Sequence, residues 1–220
     1  MKRIATLAAI AGAAAVVIAP VPASAESAEL RITGTIVPAA CTPAFAGGGV
    51  VDYGTIPASS LNPTAQTTLA QKSIQLSMTC DAPAMFGFKV IDERAGTAVT
   101  SLATVPGLTE KEKFGLGASD GKNIGAYSLQ VVSQTSDGGF SLSLASEDGG
   151  INWGFLGMRG LKGEGNQLVS FSKTQSNLPA ASRSVTADIR VTTAIDKSSN
   201  LPLTHAIPLD GLSTFELVYL

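Results

Sequence analysis

The chain is poor in charge and in the side chains that metal and acid–base chemistry need. Charged residues make up 15% and aromatic residues 5% of the sequence, with one histidine and two cysteines among 220 residues. A zinc site needs more His or Cys than this, and neither a metal nor a cofactor is expected. A Ser–His–acid triad would have to use His205. That residue lies in Leu203-Thr-His-Ala-Ile207, flanked by Pro202 and Pro208, and reads as part of a connector. No catalytic residues are assigned, and the chain reads as a non-enzyme. Gly115-Leu-Gly-Ala-Ser-Asp120 lacks the strand–turn–helix setting of a phosphate cradle. Asp120, Asp137, Glu147 and Asp148 lie beside glycines without EF-hand spacing and read as solvated turns. Lysine and arginine are not clustered, so nucleic acid is not an expected partner. Helical pattern is scarce. Leu108 to Phe114 has room for one or two turns before Gly115 and Gly117 stop it.

The amino end is organised for export. Met1-Lys2-Arg3 is basic, Ile4 to Val21 is an Ala/Ile/Val/Leu-rich run, and Ala23-Ser-Ala25 supplies a small-x-small cleavage pattern. The segment 1–25 reads as a secretory signal peptide cut after Ala25. An uncleaved anchor is the rival reading, but the run is marginal in length and ends in Pro20 and Pro22. Of the 15 basic residues, Lys2 and Arg3 leave with the leader, so 13 face 17 acidic ones in 26–220, a net charge of −4. Nothing after the leader is apolar for long enough to span a membrane. In an oxidising compartment Cys41 and Cys80 most simply pair. A reactive thiol or a metal ligand is the alternative, but no C-x-x-C motif accompanies them.

The rest of the chain alternates with period two, the mark of half-buried strands. Leu30, Ile32, Gly34 and Ile36 alternate with polar residues, Val50 to Tyr53 is a short apolar piece, and Ile74, Leu76, Met78 and Cys80 share one face. Further strands are expected at Phe86–Val90, Tyr127–Val131, Phe140–Leu144, Leu168–Ser172 (inward face ambiguous) and Val185–Thr193. Ser136-Asp-Gly-Gly139 is a turn between two of them. Loops are expected at Pro57–Thr68, Gly117–Gly125, Glu147–Asn166 and Thr174–Arg183. Trp153, beside Phe155, reads as a core residue, with sugar stacking as the alternative. The last strand is the most telling. Phe215, Leu217 and Tyr219 alternate with Glu216 and Val218 up to the carboxyl end, where chains ordinarily fray. Three large apolar residues on one face there belong either to a central strand or to a surface offered to another chain. Many short strands with turns between them indicate one all-β domain over 26–220, an antiparallel sandwich or barrel.

Several segments carry a resemblance. Ile32-Thr-Gly-Thr-Ile-Val-Pro-Ala-Ala-Cys41, Val51-Asp-Tyr-Gly-Thr-Ile56, the Cys80 strand, and Gly211 followed by the strand with penultimate Tyr219 resemble chaperone–usher fimbrial subunits. The match covers both ends and the cysteine framework, and the chain is also similar to secreted fimbria-like proteins of undefined role. The resemblance implies an immunoglobulin-like, pilin-type antiparallel β-sandwich with one disulfide that lacks its last strand. A periplasmic fimbrial chaperone lends the missing strand, and the neighbouring subunit's amino-terminal extension replaces it at the outer-membrane usher. Phe215, Leu217 and Tyr219 would pair with the incoming strand. Leu30 and Ile32 would be the donor residues of a short extension, about 26–31. The implied route runs through the inner membrane and periplasm to a cell-surface fimbria contributing to adhesion. Two alternatives remain: a self-completed soluble periplasmic protein, and a minor or tip adhesin that binds a glycan or host protein.

Overall fold

A computed structural model describes residues 28–35 and 39–220. It divides into two units, Met1–Val37 and Pro38–Leu220. The leader 1–25, its cut after Ala25, and Ile36 at the end of the first expected strand lie outside the described residues. In the first unit, 28–35 is irregular, and Leu30 and Ile32 are 90% and 89% exposed. The strand expected from Leu30 does not form there. Alternation alone pairs no backbone groups, and a strand needs a neighbour to bond to.

The second unit is all-β. Its first strands are β1 (Cys41–Phe45), β2 (Thr67–Thr68), β3 (Lys72–Ala84), β4 (Phe86–Asp92) and β5 (Phe114–Gly115). Then come β6 (Ala118–Ser119), β7 (Lys122–Asn123), β8 (Gly125–Ser136), β9 (Gly139–Phe140) and β10 (Leu142–Ser146). β11 (Gly154–Phe155), β12 (Leu168–Ser172), β13 (Ser182–Ile195) and β14 (Ser213–Tyr219) complete the set. One sheet runs β1-β3-β13-β8-β5, with β2 against β13 and β9 against β8. The other runs β11-β10-β12-β4-β14, and every pairing is antiparallel. The two sheets close on one core, an immunoglobulin-like β-sandwich. Leu76, Met78, Val131 and Ile189 come from the first sheet, and Phe88, Val90, Val169 and Phe171 from the second.

The chain changes sheets where the alternation permits. β3 ends at Ala84 in the first sheet, and β4 begins at Phe86 in the second. β9 pairs with β8, yet β10, two residues on, pairs with β12, so Phe140 stays 56% exposed while Leu144 is buried. β12 has an ambiguous pattern because both its faces are covered. Val169 and Phe171 enter the core, and Ser170 Oγ donates to the Phe86 carbonyl at 2.7 Å. Gly87 makes room for this, since a Cβ there would sit 2.2 Å from the Val169 oxygen.

Three local expectations are corrected. Val50–Tyr53 joins no sheet. Leu108–Phe114 keeps within the one or two turns expected: it forms a single 3-10 turn, Glu110–Glu112, started by a Thr109/Glu112 capping box, and Phe114 already belongs to β5. The expected loop Gly117–Gly125 holds the small β6–β7 hairpin. Trp153 is only half-buried and lies outside the core cluster, with Nε1 donating to the Gly150 carbonyl of its own loop at 2.9 Å. Among the described residues no helix is long and apolar enough to cross a membrane.

The β8–β9 turn sits where Ser136-Asp-Gly-Gly139 placed it, with Asp137 and Gly138 at φ 49° and 74°. Lys173 donates to the Asp137 carboxylate, and the Ser184 and Arg183 amides do so at 2.8 and 2.9 Å. Lys173 first, and then these amides, hold its pKa down at about 2, against an ordinary 3.8. The folded-state pKa is the lower one. The stabilisation is therefore complete above about 3.8 and is lost as pH falls through about 2. Asp137→Ala is expected to flatten the fall in melting temperature between pH 4 and pH 2. An unchanged acid limb would rule out this origin.

Candidate functional site

Among the described residues β14 is the edge strand of its sheet and pairs with β4 alone, from Ser213↔Asp92 to Tyr219↔Phe86. The Glu93 amide donates to the Leu212 carbonyl, and the Leu220 amide to the Met85 carbonyl, both at 3.0 Å. In an antiparallel pair such bonds recur at every second residue. Even-numbered residues therefore point their backbone groups at β4, and Ser213, Phe215, Leu217 and Tyr219 point theirs away from it. The same odd-numbered residues turn their side chains inward, with Phe215 and Leu217 packed on the core. Glu216 faces outward and meets Lys89 across the pair at 3.2 Å. The terminal alternation thus builds an apolar face on a strand whose far edge has no ladder partner among the described residues.

Beside this edge the sandwich is open. A cavity of about 200 Å³ has Ile74, Leu129, Ile189 and Val191 of the first sheet as its floor. Phe215 and Leu209 form one wall, and Phe45 and Val51 the other. A second cavity, about 520 Å³, continues past Leu209 over Ile124, Ile195 and Leu201. Val51, Tyr53 and Leu209 line both cavities. The wall opposite β14 is thus the segment 50–56, with strand-like sequence but no ladder. Its Tyr53 Oη is buried without a hydrogen-bond partner among the described residues. An unpaired buried hydroxyl costs stability until some polar group meets it.

The approach to β14 is fixed by polar pairs. Arg94 clasps Asp210 through Nε and Nη2 at 2.8 and 2.9 Å, which lowers the Asp210 pKa. Gly211 lets the connector lie against Tyr127, since a Cβ there would be 2.9 Å from the ring. Tyr127 shares a hydrogen bond with Ser213 Oγ, and burial pushes its phenol pKa far up, so the hydroxyl stays protonated. At the far end the groove is shut. The Phe45 and Phe215 rings meet edge to face at 4.9 Å, and the Cys41 amide donates to Tyr219 Oη at 2.8 Å. Cys41 and Cys80 are disulfide-bonded there, across register-paired positions of β1 and β3.

The proposed pairing residues therefore share one face of β14. Phe215 lines the open cavity, Leu217 packs on the core, and Tyr219, 49% exposed, reaches across to β1. Leu30 and Ile32 belong to the other unit. Sequence reasoning missed Phe45 and Leu209; neither sits in an alternating run that marks an inner face. Val51 and Tyr53 belong to the short apolar piece Val50–Tyr53, which reads as a strand in the sequence. His205 lies on the rim of the larger cavity. Its Nε2 is 3.3 Å from Ser119 Oγ and 3.9 Å from Asp120, while Nδ1 faces Thr204. A triad needs the acid on the opposite ring nitrogen from the serine, so this is not that arrangement. Among the described residues no three His, Cys, Asp or Glu side chains group as metal ligands.

These features define an immunoglobulin-like β-sandwich with an apolar groove along the last strand, whose outer edge has no ladder partner among the described residues. Residues 30–128 match a family described as "Protein of unknown function (DUF1120)". The chain is 30% identical to Protein GltF of Escherichia coli (strain K12) over 230 aligned positions, covering 87% of this chain and 88% of GltF. It is 26% identical to the uncharacterized protein YhcF of the same strain over 221 positions, covering 90% and 92%. The chain belongs to the family of GltF.

Proposed function

We propose that this protein is a strand-accepting structural subunit of a chaperone–usher type fimbria, exported through the inner membrane and assembled on the cell surface, where it contributes to adhesion. The observation that carries the reading is the outer edge of β14, without a ladder partner among the described residues and flanked by a cavity lined with core side chains. Main-chain hydrogen bonds to that edge would supply affinity, and side chains entering the cavity would supply specificity. A periplasmic chaperone covers the edge first, since an open apolar edge invites aggregation. At the usher it is replaced by a neighbour's extension, with Leu30 and Ile32 entering the groove. Each side chain buried there is worth roughly 1.5–3 kcal/mol. The reading gives the chain no catalytic role and no cofactor. A second reading, a self-completed soluble periplasmic protein, draws on the closure at Phe45–Phe215 and Tyr219–Cys41.

Periplasmic expression alone and with a fimbrial chaperone from the same genome separates the two. The subunit reading expects low soluble yield alone and recovery as a one-to-one complex with the chaperone. A heat-stable monomer that ignores the chaperone would overturn it in favour of the second.

A further inference from the structure

We propose that Tyr219 and Phe45 form an autoinhibitory latch that keeps half of the β14 edge closed until an incoming strand displaces it. The proposal rests on the strand-acceptor reading and concerns the regulation of that same edge. β1 is the edge of one sheet and β14 the edge of the other, and no ladder joins them. The Ala40 carbonyl accepts from the Asp81 amide at 3.1 Å, so residue 40 bonds toward β3 and Cys41 points its backbone away from it. By the same alternation Pro43 and Phe45 also point outward. Pro43 has no N–H to offer, a usual device on an exposed edge. The outward donors of β1 are therefore the Cys41 and Phe45 amides, and Tyr219 Oη takes the first at 2.8 Å. Four residues along, Phe45 sits edge-on against Phe215 at 4.9 Å, and Phe215 leans on Phe88 at 5.3 Å.

A strand entering between β1 and β14 must take the Cys41 donor from Tyr219 and part the two rings. Among the described residues nothing comparable bars the Leu209–Phe215 stretch, which lines the open cavity. Entry therefore starts at that stretch and stalls at the latch. The disulfide strengthens the latch by tying Cys41 to Cys80 of β3, so the donor cannot drift with a loose β1. Tyr219 can swing away at the cost of one hydrogen bond, which makes the latch displaceable.

The test uses the full chain expressed with residues 1–25 in place, as wild type, Tyr219→Phe and Phe45→Leu. Two quantities are read: amide exchange at residues 41–45, and the association rate of a synthetic peptide with the sequence of residues 28–37. Loss of one hydrogen bond should speed Cys41 exchange and peptide association roughly two- to tenfold in Tyr219→Phe. Phe45→Leu keeps an apolar side chain there and should speed association without freeing the Cys41 amide. Unchanged exchange, or a peptide that binds wild type and Tyr219→Phe equally fast, overturns the latch and leaves the acceptor reading standing. Faster exchange with no peptide bound to any of the three proteins overturns the acceptor reading instead, and the latch with it as a control on strand entry.

Discussion

Phe88→Ala is expected to lower stability by about 3–5 kcal/mol, the cost of removing a fully buried aromatic ring. Phe88 is 1% exposed, at the crossing of three strands. It is register-paired with Val169 of β12 on one side and Leu217 of β14 on the other. Its ring lies 6.2 Å from Phe171 and 5.3 Å from Phe215. The hole cannot collapse easily, because next to it the Gly87 backbone is already in contact with β12. The loss also removes the support behind Phe215, so the groove should loosen along with the core. Urea unfolding followed by tryptophan fluorescence measures both midpoint and slope. Phe140→Ala, at a residue 56% exposed, is the control and should change stability by no more than about 0.5 kcal/mol. A Phe88→Ala effect as small as the control's would mean that the Phe88 ring does not support the core of the sandwich.

Cys41→Ser is expected to cost about 4 kcal/mol under oxidising conditions. The bond closes a loop with a sequence separation of 39. In the chain-entropy view, releasing that loop returns freedom to the unfolded chain worth about this amount. For a chain of this size the melting temperature should fall by roughly 10 °C. Serine keeps the backbone amide, so the bond to Tyr219 remains available and the loss reports the cross-link. Adding reductant to the wild type should bring it down to the Cys41→Ser value and leave the variant unmoved. Equal melting temperatures for the two oxidised proteins would remove the disulfide from the stability argument.

Much of the sandwich was legible because side-chain alternation is a local signal. β3 shows Leu76, Met78 and Cys80 on the face read for them, and β14 shows Phe215 and Leu217 on theirs. The Asp137-Gly138 turn was legible because so few residue types adopt positive φ there. Strand lengths were less so. β8 and β13 extend past the alternating stretch into Gly125-Ala126 and Ala194-Ile195, where both faces are covered and the pattern fades. The segment 30–35 alternates as β14 does and 50–53 is a short apolar piece, yet among the described residues neither joins a sheet. Their periodicity states which face would be buried and is silent on whether any strand is there to pair with.

Composition and alternation on their own pointed to an all-β antiparallel domain, a sandwich or a barrel, to two cysteines that most simply pair, and to a terminal strand with an apolar inner face. Only the tertiary structure decided that β14 has one neighbour among the described residues, that a cavity lined by core side chains lies beside it, and that Tyr219 and Phe215 meet β1 at one end. The reason is the range of the interactions. Which face of a strand is buried depends on residues two apart. Which strands become edges depends on how all of them share a limited set of partners. The contacts that close the groove join residues distant in sequence, Cys41 with Tyr219 and Phe45 with Phe215, and no local pattern encodes such meetings.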